Sequence, residues 1–316
     1  MLIAIFRSVV LLVMATLPFM THAQQVPDDV HARSVDIWSE GTRLSGTVYR
    51  AASAPAQENQ ATILMAHGWG GVAAQLTRDA LAFARAGYTV VSFDYRGWGE
   101  SDGRIILADE AAGLQADRIA EFSAEVREIR EIVDPVDMLA DWHNALHWLH
   151  GEPGVDTSRI GLWGSSQSGG YVVEMAIRDP RVKAVHSQVG SMSGKQIGDT
   201  AAAREEATQR ARWSLPYPEA GARVVGNLRG APIAARFANY SPVDDIRKIN
   251  NIPIQFVLAE NEELFDNNEH GILAHDRYQG PKRLIIIPGI THYGIYTSAW
   301  QQSSELALEW FDRHLQ

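Results

Sequence analysis

Six short, largely apolar runs, "ATILMAHG", "YTVVSFDYRG", "RIGLWG", "VKAVHSQVG", "IPIQFVLA" and "KRLIIIPG", recur along this chain with helical stretches between them. Apolar runs without strict alternation mark strands covered on both faces. "QLTRDALAFARAG", "PVDMLADWHNALHWLHGE", "SGGYVVEMAIRD", "NNEHGILAHDRYQ" and "SSELALEWFDRHL" supply covering helices, the second opening with Pro135 in its first turn. This alternation predicts an α/β fold with a mostly parallel, doubly wound sheet. Ahead of it, "RSVDIWSE" and "TRLSGTVYRA" alternate apolar and polar residues on either side of Gly41, which predicts an antiparallel hairpin. In such sheets ligands bind beyond the carboxyl ends of the strands, so the residues that follow each run carry the functional argument.

Two segments break the rhythm. Residues 104–134 are charged and helical in pattern ("DRIAEFSAEVREIREI"), and 192–246 join "REEATQRARW" to a Pro- and Gly-rich stretch. Both follow strands, and both are expected to overhang the active edge as lids, since structureless loops of that length are unusual. The remainder reads as one domain over 24–316. Residues 1–23 read as a signal peptide: Arg7, an apolar core, then Thr21 and Ala23 at small-residue positions before a cleavage point. Their apolar core is shorter than the roughly 20 residues a membrane span needs and contains Pro18, so no lasting span is expected. Export to the periplasm or outside of a bacterium follows. The 316 residues include no cysteine, which excludes disulfides, a thiol nucleophile and thiolate metal sites. A net charge of −10 argues against nucleic acid as a partner.

The chemistry concentrates in "RIGLWGSSQSGGYV", residues 159–172, where three serines stand within four positions. A nucleophilic serine on a strand-to-helix elbow needs small neighbours two before it and two or three after it. Ser166 meets this with Gly164 before and Ser168, Gly169 and Gly170 after; Ser165 would put Trp163 and Gln167 at those places, and Ser168 lies too far into the helix. "MAHGWGG", residues 65–71, closes another buried strand with a turn that can aim a backbone N–H at an oxyanion. The expected donors are the amides of Trp69 and of Gln167. The base should follow the last strand, where "RLIIIPGITHYGIY" places His292, one of eleven histidines and the one in that position. The acid should follow "IPIQFVLA", where the loop offers Glu260, Glu262, Glu263 and Asp266. His143, His147 and His150 share a helix but lack the glutamate of a zinc-protease helix, and no Gly-Lys-Ser/Thr makes a phosphate loop, so neither metal nor cofactor is expected.

Taken in order, "HGWGG", "DYRGWGESDG", "GSSQSGG", an acid and a histidine resemble the α/β-hydrolase superfamily, with dienelactone-hydrolase-like and acyl-esterase-like proteins the nearest pattern. The resemblance implies Ser166 as nucleophile, a structural turn at 96–99, and an acid three residues beyond the small residue that ends its strand. Counted from Ala259, that acid is Glu262, a glutamate where aspartate is commoner. Ser168 likewise departs from the usual glycine of the elbow, and the missing cysteine sets the chain apart from true dienelactone hydrolases.

The expectation is a secreted serine esterase with a Ser166–His292–Glu262 triad, acting on a small-molecule ester through an acyl-enzyme. The elbow is also similar to that of X-prolyl dipeptidyl peptidases and cocaine-esterase-like acylases, so a peptidase or amidase is the alternative. A non-catalytic binding protein on the same scaffold is the rival from another class. Neither substrate identity nor oligomeric state is written in the sequence.

Overall fold

The computed structural model describes residues 26–55, 59–108, 123–225 and 228–316. The expected signal peptide, 1–23, lies outside them. Eight strands form one sheet: β1 (Val30–Ser39), β2 (Thr42–Ala51), β3 (Gln60–Ala66), β4 (Thr89–Phe93), β5 (Val155–Ser165), β6 (Val182–Gln188), β7 (Ile254–Asn261) and β8 (Lys282–Thr291). Their order across the sheet is β1-β2-β4-β3-β5-β6-β7-β8. β1 pairs antiparallel with β2, and β2 antiparallel with β4; every other pairing is parallel. The β1–β2 turn is made by Glu40 and Gly41, both at positive φ (49° and 84°), the two-residue geometry that matches strand twist.

Alternation along the buried strands sorts the core onto two faces. Leu64, Val91, Phe93 and Leu162 face α2 (Pro135–Leu149) and α3 (Gln167–Arg178), packing with Trp142 and Tyr171. Ile63, Met65, Val90 and Trp163 face α1 (Thr77–Arg85) and a C-terminal helix (Trp300–Leu315), packing with Phe83 and Phe311. Helix α2 begins where the sequence implies: Pro135 is its first residue, and the Asp134 carboxylate caps it by accepting from the Val136 N–H at 3.0 Å.

The segment 104–134 differs from its helical expectation. Arg104–Leu107 pairs antiparallel with Val126–Ile129, and Ile132–Val133 pairs parallel with Ala231–Pro232 from the other inserted segment. The spacing of Val126, Ile129 and Ile132 suits either structure, but these residues are β-branched and a strand partner is available, so tertiary pairing overrides the local pattern. The rest of the expected helix, 109–122, lies outside the described residues. "REEATQRARW" lies in a helix, α4 (Ala201–Ala211), up to Ala211, with Arg212 and Trp213 beyond its end. The helix expected in "NNEHGILAHDRYQ" is shorter, α5 (Gly271–Arg277), because Asn267 turns back to donate to the Ala259 carbonyl at 2.7 Å. The C-terminal helix is α6.

One buried ion pair fixes the end of β4 to α2. Asp141, with no exposed side-chain surface, accepts from Arg96 Nε at 2.9 Å, from Nη2 at 2.6 Å and from the Arg96 backbone N–H at 3.0 Å. The Arg96 guanidinium also donates to Ser39 Oγ at the end of β1. Removing one member of such a pair leaves the other charge buried, here with only the longer contacts of Arg96 to Glu40 (3.5 Å) and Asp137 (3.9 Å). Asp141→Asn should therefore cost about 3 kcal/mol, measured by urea unfolding; a loss under about 1 kcal/mol would mean that Arg96 finds solvent or another partner.

Candidate active site

Strand β5 ends at Ser165, and the chain turns at once into α3, with Ser166 between them at φ 58°, ψ −125°. A serine in the left-handed region is strained and persists only where its surroundings hold it. Here they do. The Ser166 N–H donates to the Gln188 carbonyl at 3.0 Å, and its carbonyl accepts from the N–H groups of Gly169 (2.9 Å) and Ser191 (3.1 Å). Close packing explains the small neighbours: a Cβ at Gly164 would lie 2.3 Å from the Ser168 carbonyl oxygen, and one at Gly68 would lie 2.8 Å from Ser166 Cβ.

The three serines of the elbow have different surroundings. Ser168 is buried, with its hydroxyl 2.7 Å from that of Tyr95, which in turn accepts from Trp142 Nε1. Ser165 is buried against Tyr296 and Gln188. Ser166 lines a cleft of about 570 Å³ together with Gly68, Trp69, Leu228, His292 and Tyr293.

His292 stands at the start of a short 3₁₀ turn, His292–Tyr296, directly after β8. Its Nε2 is 3.0 Å from Ser166 Oγ. Its Nδ1 lies 2.8 and 2.9 Å from the two oxygens of Glu262, in the loop after β7. A carboxylate facing Nδ1 requires the proton there, which leaves Nε2 to accept from the serine. Both the imidazole and the Glu262 carboxylate are almost fully buried, at 2 % side-chain exposure each.

The other three candidate acids are placed elsewhere. Glu263 accepts the backbone N–H of His292 at 2.6 Å, Glu260 accepts the backbone N–H of Gly289 at 2.8 Å, and Asp266 caps the N–H of Asn268. Glu262 thus holds the ring of His292 and Glu263 its backbone. The second contact carries no residue-type signal that a single sequence displays.

The amides expected to face an oxyanion belong to turns that meet at Ser166. Neither the Trp69 nor the Gln167 backbone N–H has a protein acceptor among the described residues, and the latter is the first residue of α3, where a helix leaves its N–H free. Trp69 lines the cleft, whereas Trp98 is fully buried, with its indole N–H donating to the Ile132 carbonyl. The Trp69 indole donates to the Gly230 carbonyl at 3.2 Å and stacks on Phe237, so the segment 192–246 packs directly on this turn. Burial outweighs the attraction of Asp94 and holds the His67 imidazole below its ordinary value.

The arrangement is one in which a hydroxyl can pass its proton to an imidazole held in the right tautomer by a carboxylate. Among the described residues no group of three or more His, Cys, Asp or Glu side chains could hold a metal ion, and His143, His147 and His150 form no such site.

The family model described as X-Pro dipeptidyl-peptidase (S15 family) matches residues 40–211. Among curated proteins, an uncharacterized 31.7 kDa protein of the traX-finO intergenic region of Escherichia coli is 24 % identical over 286 residues, 80 % of this chain and 91 % of that one. The quorum-quenching protein AidA of Acinetobacter baumannii is 30 % identical over 170 residues, 54 % of this chain and 45 % of that protein. Among solved structures, hypothetical protein PA2218 of Pseudomonas aeruginosa superposes with a TM-score of 0.73 at 18 % identity, covering 93 % of this chain and 96 % of that one. The α/β hydrolase GrgF of Penicillium sp. sh18 superposes with a TM-score of 0.69 at 18 % identity, covering 90 % and 99 %. The fold is that of the α/β hydrolases, as the sequence resemblance implies.

The two carboxylates on His292 separate by experiment. Glu262→Gln should slow labelling by a fluorophosphonate about 10³–10⁴-fold, whereas Glu263→Gln, which keeps an acceptor oxygen for the backbone N–H, should slow it less than about tenfold. Equal losses, read by active-site titration, would reassign the acid.

Proposed function

The chain belongs to the X-Pro dipeptidyl-peptidase (S15) family, a family of hydrolases, and from that premise we propose that it is a serine hydrolase of carboxylic esters. One observation carries the reading: the continuous relay from Ser166 Oγ through His292 to Glu262, at 3.0 and 2.8 Å, opening on a cleft. In this reading Ser166 attacks the ester carbonyl while His292 takes its proton. The amides of Trp69 and Gln167 stabilise the tetrahedral oxyanion, and His292 returns the proton to the departing alcohol. Water activated by the same imidazole then releases the acid from Ser166.

The cleft lining favours an ester over an X-Pro peptide. A dipeptidyl peptidase must anchor the charged amino terminus of its substrate, which calls for a carboxylate. The described lining residues are glycines, Trp69, Gln75, Ser166, Leu228, His292 and two tyrosines, with no acid among them. Glu262 and Glu263, the glutamates in contact with His292, are occupied by it. Family membership supports the second reading, cleavage after an X-Pro pair. Residues 104–134 and 192–246 act in this account as lids that select the substrate, Leu228 being the one described residue of these segments that lines the cleft.

Purified protein should hydrolyse p-nitrophenyl esters with a kcat/KM at least about 100-fold above that for an Ala-Pro p-nitroanilide. Ser166→Ala should remove about 10³-fold or more of kcat. A preference for the anilide, in the same assay, would transfer the protein to the peptidase reading.

The segment 1–23 is proposed to direct export and then be removed. Amino-terminal sequencing of the protein recovered from the periplasm of an expressing bacterium should begin at Gln24; recovery of the uncleaved chain in the membrane fraction would contradict this.

A further inference from the structure

His292 and Ser166 reach each other from distant parts of the sheet. Ser166 follows β5 and His292 follows β8, the edge strand, with β6 and β7 between them. At about 4.8 Å per strand the two strand ends are separated by roughly 14 Å. The turn His292–Tyr296 therefore has to fold back across the ends of two strands to bring Nε2 within 3.0 Å of Oγ. Glu262 and Glu263 anchor this turn to β7, which fixes it on the far side from the serine. A hydrogen bond between a catalytic serine and histidine is a weak anchor, because it must break and reform during turnover.

A second link spans the gap. The hydroxyl of Tyr296, at the other end of the histidine turn, lies 2.7 Å from the hydroxyl of Ser165, the residue immediately before Ser166. Ser165 in turn accepts from Gln188 Nε2 at 3.1 Å, at the end of β6. The Gln188 side-chain oxygen, Oε1, accepts from Ser303 of α6 at 2.6 Å. Ser165, Gln188 and Ser303 are buried, and burial pushes the Tyr296 phenol well above its ordinary value, so it keeps its proton. The Tyr296 backbone is held as well, its carbonyl accepting from Arg78 of α1 at 2.7 Å, and its ring meets that of His292 edge-on at 6.2 Å.

We propose that Ser165 and Tyr296 are positioning residues, the bond between their hydroxyls tying the His292 turn to the Ser166 elbow and setting the separation of imidazole and nucleophile. The proposal rests on the serine-hydrolase reading. Neither hydroxyl touches a reacting atom; they act through the placement of His292. Because catalysis falls steeply with small displacements of the reacting groups, losing the tether should lower kcat. Ser165 does not line the cleft, so its removal should leave KM unchanged.

The test compares Ser165→Ala, Tyr296→Phe and the double variant with wild type, using a p-nitrophenyl ester and fluorophosphonate labelling, and thermal melts to establish folding. Tyr88→Phe removes a comparable buried phenol bond, 2.7 Å to Asp312, at the amino end of β4, the opposite end of the strands from the site, and serves as control. Each single tether variant should lose about tenfold in kcat and in labelling rate. KM of Ser165→Ala should stay within about twofold, the double variant should fall no lower than the worse single variant, and Tyr88→Phe should keep wild-type kcat. Unchanged kcat in folded single variants, losses that multiply in the double variant, or an equal loss in Tyr88→Phe would overturn the tether while wild-type turnover still stands. Wild type that neither labels nor turns over ester would overturn the hydrolase reading itself.

Discussion

The left-handed backbone at Ser166 is the constraint on which the rest of the site depends. Such a conformation costs a non-glycine residue about 1–3 kcal/mol, and it exists here because the neighbouring backbone leaves no alternative. Both polar groups of the Ser166 backbone are committed to the end of β6 and the first turn of α3. Gly164 and Gly68 let the chain pass close enough for those bonds to form. The result is a hydroxyl held clear of its own helix, beyond the carboxyl end of a central strand.

Everything else in the site is arranged around that fixed point. The turn after β3 brings Gly68 against Ser166, and the insertion 192–246 packs on the Trp69 indole of the same turn through Gly230 and Phe237. The turn after β4 is braced by the buried Arg96–Asp141 pair, and Trp98 in that turn donates to the other insertion at Ile132. The histidine comes from the sheet edge, held at its ring by Glu262 and at its backbone by Glu263. Strands position these side chains, and Leu228 of the 192–246 insertion lines the cleft.

Most of the architecture was legible because it rests on patterns that a sequence displays directly. Buried parallel strands read as apolar runs, and the elbow reads as small residues at fixed offsets from Ser166. His292 was identifiable from its place after the last strand. The residues alone left four acids open; the α/β-hydrolase resemblance implied a count from Ala259 to Glu262, and contact geometry then distinguishes Glu262 from Glu260, Glu263 and Asp266. Residues 126–129 misled because a local helical pattern and a distant strand partner at 104–107 compete, and only the second depends on the fold. Trp69 and Trp98 look alike in sequence, one lining the cleft and the other in the core, since exposure is set by neighbours far along the chain. The Ser165–Tyr296 contact spans 131 residues and joins two ordinary hydroxyls, so no local signal announces it.

The central claim is that Ser166 carries the acyl group during turnover. Rapid quenching of the purified protein in acid, within milliseconds of mixing with an activated p-nitrophenyl ester, followed by peptide mass spectrometry, measures this directly. The account predicts about one acyl group per chain, on the peptide containing Ser166 and assigned by fragmentation to that residue. An adduct on Ser165 or Ser168, or hydrolysis that proceeds with no acylated peptide, would contradict it.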